Sequence, residues 1–162
     1  MDRAIEIAKR TGRRLRIAAK VDVVDEKYFH EEIEPLLNDP GVEFIGEIGE
    51  DKKGEFLSAA GALLLPIDWP EPFGLVMIEA MACGTPVIAW REGSAPEVID
   101  EGITGFVVAS VEEAASAVDK AMLLDRRQVR KIFERRFSAQ RMAREYVAIY
   151  ERLLAREPRV AA

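Results

Sequence analysis

The sequence predicts a doubly wound, Rossmann-like α/β domain: a parallel sheet covered by helices on both faces. Three observations carry the prediction. Short apolar runs alternate with amphipathic helical patterns over residues 1–110, and strands separated by helices pair in parallel through crossovers. The runs "ALLLPI" (Ala62 to Ile67) and "PVIAW" (Pro86 to Trp90) are apolar at consecutive positions, as in strands buried on both faces. The 162 residues are 49% apolar, enough for one domain with a real core.

Taken in order, "DRAIEIAKRTG" sets Ala4, Ile5 and Ala8 at helical spacing and stops near Gly12. No strand precedes it, so this helix is expected to cover a sheet whose first strand is missing. "LRIAAKV" (Leu15 to Val21) reads as a strand. "DEKYFHEEIEPLLND" (Asp25 to Asp39) reads as an amphipathic helix disturbed at Pro35, and "VEFIGEI" (Val42 to Ile48) as the next strand. A short helix from Glu50 to Gly61 leads into the apolar run 62–67. The loop "DWPEPF" follows, then a helix from about Gly74 to Cys83 in which Leu75, Val76, Ile78, Ala80 and Met81 are expected to be buried. A strand from Pro86 to Trp90, a helix from Ser94 to Gly102 and a strand from Thr104 to Ala109 complete the alternation. Residues 111–162 read as helices, the last running from Ser138, a good N-cap residue, to about Glu157. No repeat, linker or low-complexity segment divides the chain, so 1–162 is read as one domain.

Composition narrows the function. The net charge of -6 argues against a nucleic-acid partner. The single cysteine, Cys83, allows no internal disulfide; it is expected as a buried thiol in a reducing compartment, the cytoplasm. The charged start is no secretory signal, and no apolar run approaches the roughly 20 residues of a membrane span. No cluster has metal-ligand spacing. His30, the lone histidine, is expected at the surface. Arg127, Arg130 and Lys131 lie in a basic stretch that offers a peripheral contact with the inner face of a membrane, against the plainer reading of a solvated helix face. In the last helix Met142, Tyr146, Ile149, Tyr150, Leu153 and Leu154 form an apolar stripe, expected to be exposed or to pair with a second copy of the chain.

The chemistry concentrates in "WPEPFGLVMIEAMACGTPVIA", Trp69 to Ala89. Pro70 and Pro72 hold Trp69 and Glu71 extended. Gly74 permits close approach at the start of the following helix, whose first N–H groups and dipole favour phosphate. Glu79, one to two turns inside, is set to accept hydrogen bonds from vicinal hydroxyls, with Glu71 on the loop at the other side of the phosphates. A phosphate at a helix start with a polyol at each end describes a nucleotide-sugar. Two plainer readings stand beside this one. Glutamates are ordinary on surface helices, and paired carboxylates also serve glycoside hydrolysis, which needs them to flank one bond. Trp69 either stacks on a sugar or base, or caps the core.

"EPFGLVMIEAMACGTPVIA", followed by "REGSAPEVIDEGITGFVV", resembles the donor-binding signature of family 4 glycosyltransferases, the group 1 type with the GT-B fold. Glu71 and Glu79 match its E-x7-E acids; Gly84, Pro86, Gly93, Pro96, Glu97, Gly102 and Gly105 fall in the matching places. The resemblance covers essentially the whole chain and is most specific over Glu71 to Val108. It implies a donor-binding domain of a retaining enzyme that uses UDP- or GDP-sugars without a metal or other cofactor. It implies that Glu79 binds the ribose hydroxyls and that Glu71, the candidate catalytic residue, contacts the transferred sugar. Backbone N–H groups of Phe73, Gly74, Leu75 and Val76 would face sugar and phosphates, and Gly46, Glu47 and Ile48 would lie beside the base.

The chain departs from the family pattern in two ways. Where the family has G-x-G after the second strand of this domain, the sequence has "AAKVD"; Lys20 there reaches a phosphate or acceptor, or is simply solvated. The family's first strand, the Arg/Lys pair of a G-R-x(n)-K-G segment and the N-terminal acceptor domain have no counterpart in the 162 residues. The expectation is a truncated donor domain, inactive alone, with a non-catalytic nucleotide- or partner-binding module of the same fold as the alternative.

Overall fold

A computed structural model describes residues 1–156. Its strands are β1 (Leu15–Ala18), β2 (Val42–Gly46), β3 (Leu63–Leu65), β4 (Val87–Trp90) and β5 (Gly105–Val108). All strand pairings are parallel: β1 with β2, and β3 with β4 with β5. The helices are α1 (Asp2–Thr11), α2 (Glu26–Tyr28), α3 (Glu50–Ala59), α4 (Leu75–Ala82), α5 (Ala95–Val98), α6 (Val111–Met122), α7 (Arg126–Phe137) and α8 (Ala139–Arg156). The α/β architecture is as expected, but the sheet is in two pieces, β1–β2 and β3–β4–β5.

The core sits on both faces of β4. Val87 and Ala89 point into a cluster with Met77, Ala80 and Met81 of α4, Val98 of α5, and Val129 and Ile132 of α7. Ile88 and Trp90 point the other way, against Ile7 of α1 and Ala114, Ala117, Val118 and Ala121 of α6. Period-two alternation thus feeds two apolar layers, and all four β4 residues are buried. Caps fix the C-terminal helices. Ser110 Oγ accepts from Glu113 N–H at 3.2 Å, Asp125 from Arg127 N–H at 2.9 Å, and Ser138, as expected, from Arg141 N–H at 3.3 Å.

Several expectations are corrected. The helix read over Asp25 to Asp39 is a broken spiral: 3-10 turns at Val23–Asp25 and Glu34–Asn38 flank the short α2 and a wide π turn at Phe29–Ile33. Pro35 has no N–H to donate to the preceding turn, and only Ile33 of this segment is buried, so little packing enforces regular winding. β3 is half-buried along its length, not enclosed on both faces. On α4 the buried residues are Met77, Ala80 and Met81, while Leu75 is 64% exposed and Val76 and Ile78 are intermediate. Cys83 is half-buried rather than enclosed, with Sγ 3.6 Å from the Gly54 carbonyl oxygen. The expected helix end at Glu157 lies outside the described residues.

Candidate functional site

The site lies where β1, β2 and β3 release their chains toward helices, the edge at which parallel sheets bind ligands. A cavity of about 750 Å³ opens there. It gathers Lys20 after β1, Glu47 and Ile48 after β2, Lys53 of α3, Trp69 after β3 and Val76 of α4. Of the expected contacts, Lys20, Glu47, Ile48 and Val76 therefore line one space. Gly46, Glu71, Phe73, Gly74, Leu75 and Glu79 do not line it. Phe73 to Leu75 lie in the chain between its Trp69 and Val76 walls, and Gly46 closes β2, its carbonyl accepting from Ala19 N–H at 3.0 Å.

Glu79 is joined to the cavity through Lys53, a residue that sequence reading missed. Lys53 Nζ lies 3.1 Å from Glu79 Oε1 and 2.6 Å from Glu50 Oε1. The Glu50–Lys53 spacing was readable as a helical pair; the reach across to α4 is a tertiary fact with no local signal. Hydrogen bonds from Lys53 to Glu50, then to Glu79, hold its ammonium above the ordinary lysine value of 10.5. A raised folded-state value stabilises fully below the ordinary lysine value and fades as pH rises through the raised one, so the clamp is intact at neutral pH.

Glu71 turns back over the start of α4. Its Oε1 accepts from Gly74 N–H at 3.1 Å and its Oε2 from Trp69 Nε1 at 3.2 Å. The stiff loop is pinned from behind by the turn at Gly93. Ser94 N–H donates to the Glu71 carbonyl at 3.0 Å and Ser94 Oγ to the Phe73 carbonyl at 2.8 Å. A Cβ on Gly93 would sit 2.2 Å from the Glu71 carbonyl oxygen, so only glycine lets the two backbones meet. Gly74 itself has φ of 70°, the left-handed region that favours glycine, and it swings α4 so that its first turn is uncapped by any side chain of its own N-cap residue. Trp69 is 56% exposed, which excludes the core-capping reading. A carboxylate has about four lone-pair sites, so Glu71 retains acceptor capacity beyond the two bonds it makes.

The remaining candidates separate cleanly. Lys20 is exposed and paired with Asp22 at 2.6 Å, which raises its pKa. His30 is at the surface, Nδ1 2.8 Å from Glu34. Arg130 is not a free membrane-facing cation: it bonds Glu134 at 2.8 Å and the Ala82 carbonyl. The α8 stripe is exposed, from Ile149 at 42% to Leu154 at 72%. No described helix is long and apolar enough to cross a membrane.

The sequence profile of the family described as "Glycosyl transferases group 1" matches residues 1–138. The N-acetyl-alpha-D-glucosaminyl L-malate synthase of Bacillus anthracis is 35% identical over 116 residues, covering 66% of this chain and 29% of that protein. A D-inositol 3-phosphate glycosyltransferase of Streptomyces scabiei is 41% identical over 76 residues, 47% of this chain and 17% of that one. Among solved structures, HepE of Anabaena in complex with UDP superposes with a TM-score of 0.81 at 21% identity, over 93% of this chain and 44% of its own. AviGT4, a glycosyltransferase of avilamycin A biosynthesis, gives 0.73 at 28% identity, over 96% and 47%. The chain thus spans less than half the length of each of these proteins.

Proposed function

The chain belongs to the group 1 glycosyl transferases, as a C-terminal domain of the GT-B fold, and from that premise we propose that it binds the donor, a nucleotide diphosphate sugar. The diphosphate lies at the start of α4, along the N–H groups of Phe73, Gly74, Leu75 and Val76, with the Gly74 N–H exchanging Glu71 Oε1 for a phosphate oxygen. Glu79 accepts the ribose hydroxyls, Glu71 contacts the sugar, and the Gly46–Ile48 turn meets the base. The relatives solved with UDP and UDP-glucose favour a UDP-sugar, with GDP-sugars next. The proposed reaction retains anomeric configuration and assigns no role to a metal.

One observation carries the reading. Residues from the segments that follow three strands, β1, β2 and β3, converge on one cavity of about 750 Å³, and its Lys53 wall holds Glu79 at 3.1 Å. The 162 residues include no Arg/Lys pair of the kind that meets the diphosphate in this family. Each charge-assisted phosphate contact contributes about 1.5–3 kcal/mol, so two fewer weaken binding by roughly two to four orders of magnitude. The chain by itself is accordingly expected to bind donor weakly and to transfer no sugar.

Amide chemical shifts recorded with UDP, GDP and ADP added in turn test the proposal. One nucleotide is expected to shift the amides of Glu47, Ile48 and Phe73 to Val76 together. Shifts confined to other loops would move the site elsewhere, and measurable sugar transfer by the chain alone would refute the inactive-domain reading.

A further inference from the structure

Trp69 is an indole that packs into neither core cluster. It is 56% exposed. Among the described residues no cation or second aromatic ring lies over it, whereas Arg3 covers Trp90 and Arg16 covers Phe56. Its edge is nonetheless fixed. Nε1–H donates to Glu71 Oε2 at 3.2 Å, and the Trp69 carbonyl accepts from Glu71 N–H at 2.8 Å, so the indole and the carboxylate two positions on are held as one unit. Pro70 and Pro72 stiffen the loop around them, and the turn at Gly93 and Ser94 braces it from behind. Trp69 lines the cavity of about 750 Å³ that also has Lys20, Glu47 and Lys53 among its walls. A large apolar ring with a polar handle, ordered before any ligand arrives, is a contact surface that loses little freedom on binding.

We propose that Trp69 is the platform on which the pyranose ring of the donor lies, and that it adds affinity for the sugar conjugate over the bare nucleotide; the inference rests on the donor-site reading. Position along the site assigns the ligand. The base is placed at the Gly46–Ile48 turn after β2 and the ribose at Glu79 of α4. Trp69 belongs instead to the loop after β3 and is bonded to Glu71, the carboxylate placed on the sugar. The other aromatic side chains of the cavity lack that link. Tyr28 stands on α2 after β1, and Phe56 already has the Arg16 guanidinium 5.4 Å from its ring centre. A pyranose presents C–H bonds on its faces and hydroxyls around its rim, so a flat apolar ring beneath it and a carboxylate at its edge match it in both respects. The indole N–H takes one Glu71 oxygen, and the other turns to a sugar hydroxyl once a phosphate oxygen has taken over the Gly74 N–H. Burying about 60 Å² of apolar surface between the two rings is worth roughly tenfold in affinity.

The test uses the chain's 2 tryptophans. Trp90 is only 9% exposed, so acrylamide quenching of the intrinsic fluorescence reports on Trp69. UDP, GDP and their glucose conjugates are the probes. For the nucleotide that binds, the glucose conjugate is expected to shield Trp69 and the bare diphosphate to leave it open. In calorimetry Trp69→Ala is expected to bind the conjugate roughly tenfold more weakly and the bare nucleotide as the wild type does. Trp69→Phe, which keeps a ring and loses the N–H, is expected to retain most of the difference. Shielding by the bare nucleotide would overturn the proposal by giving the indole to the base. So would binding of the conjugate without shielding, or a Trp69→Phe defect as large as that of Trp69→Ala, which would leave only the hydrogen bond to Glu71. If no nucleotide binds, the donor-site reading fails and takes this inference with it. If nucleotide binds and the conjugate gains nothing from Trp69, this inference alone falls.

Discussion

β3 and β4 come from similarly apolar runs but have opposite surroundings. "ALLLPI" and "PVIAW" predict the same enclosed strand, yet every residue of β4 is buried while Leu63, Leu64 and Leu65 are half-exposed. The difference is the neighbour. β4 lies between β3 and β5 with α4 and α7 on one face and α1 and α6 on the other; β3 pairs with β4 on one side and has an unpaired edge on the other. An apolar run records what a strand is built to touch, and burial records what is there.

The largest expected effect breaks this comparison at its closed end. Ile88→Ala, in a side chain 1% exposed, is expected to lower unfolding free energy by about 2–5 kcal/mol in urea denaturation. Leu64→Ala is expected to cost less, about 1–2 kcal/mol, because its side chain is only partly buried. Thr85→Val comes next. Thr85 Oγ1 is buried between the Leu57 carbonyl at 2.7 Å and Arg126 at 2.7 Å, so its loss leaves buried partners unpaired at about 1–3 kcal/mol. Gly93→Ala is expected to act on the site more than on the core. The added Cβ pushes against the Glu71 carbonyl, and nucleotide-induced shifts at Phe73 to Val76 should disappear while the β4 amides stay protected. The smallest effect belongs to Lys53→Met, which should leave the denaturation midpoint near the wild-type value at pH 7. It should also reduce the alkaline loss of stability as pH rises past the ordinary lysine value, since the Lys53 pKa is raised by Glu50 and Glu79, leaving the part due to Lys20.

Much of this was legible in the sequence because it is local. Gly12 ends α1 and Ser138 caps the last helix where residue chemistry requires them. The stiff loop and Gly74 marked the start of α4. What was not legible depends on distant partners. On α4 Met77 is buried in place of Leu75, Val76 and Ile78, beside the expected Ala80 and Met81, because α7 and α5 choose the buried stripe on a helix that is apolar all round. Lys53 and Ser94 act on Glu79 and on the Phe73 carbonyl from 26 and 21 residues away, and no spacing rule connects them.

The donor-site claim is tested most directly by calorimetric titration of nucleoside diphosphates into the chain and its Glu79→Ala variant. The account predicts that one nucleotide binds, weakly, and that the variant loses at least about tenfold in affinity, one ribose-carboxylate hydrogen bond being worth roughly 1.5–3 kcal/mol. Equal affinity of the two proteins for that nucleotide would contradict it.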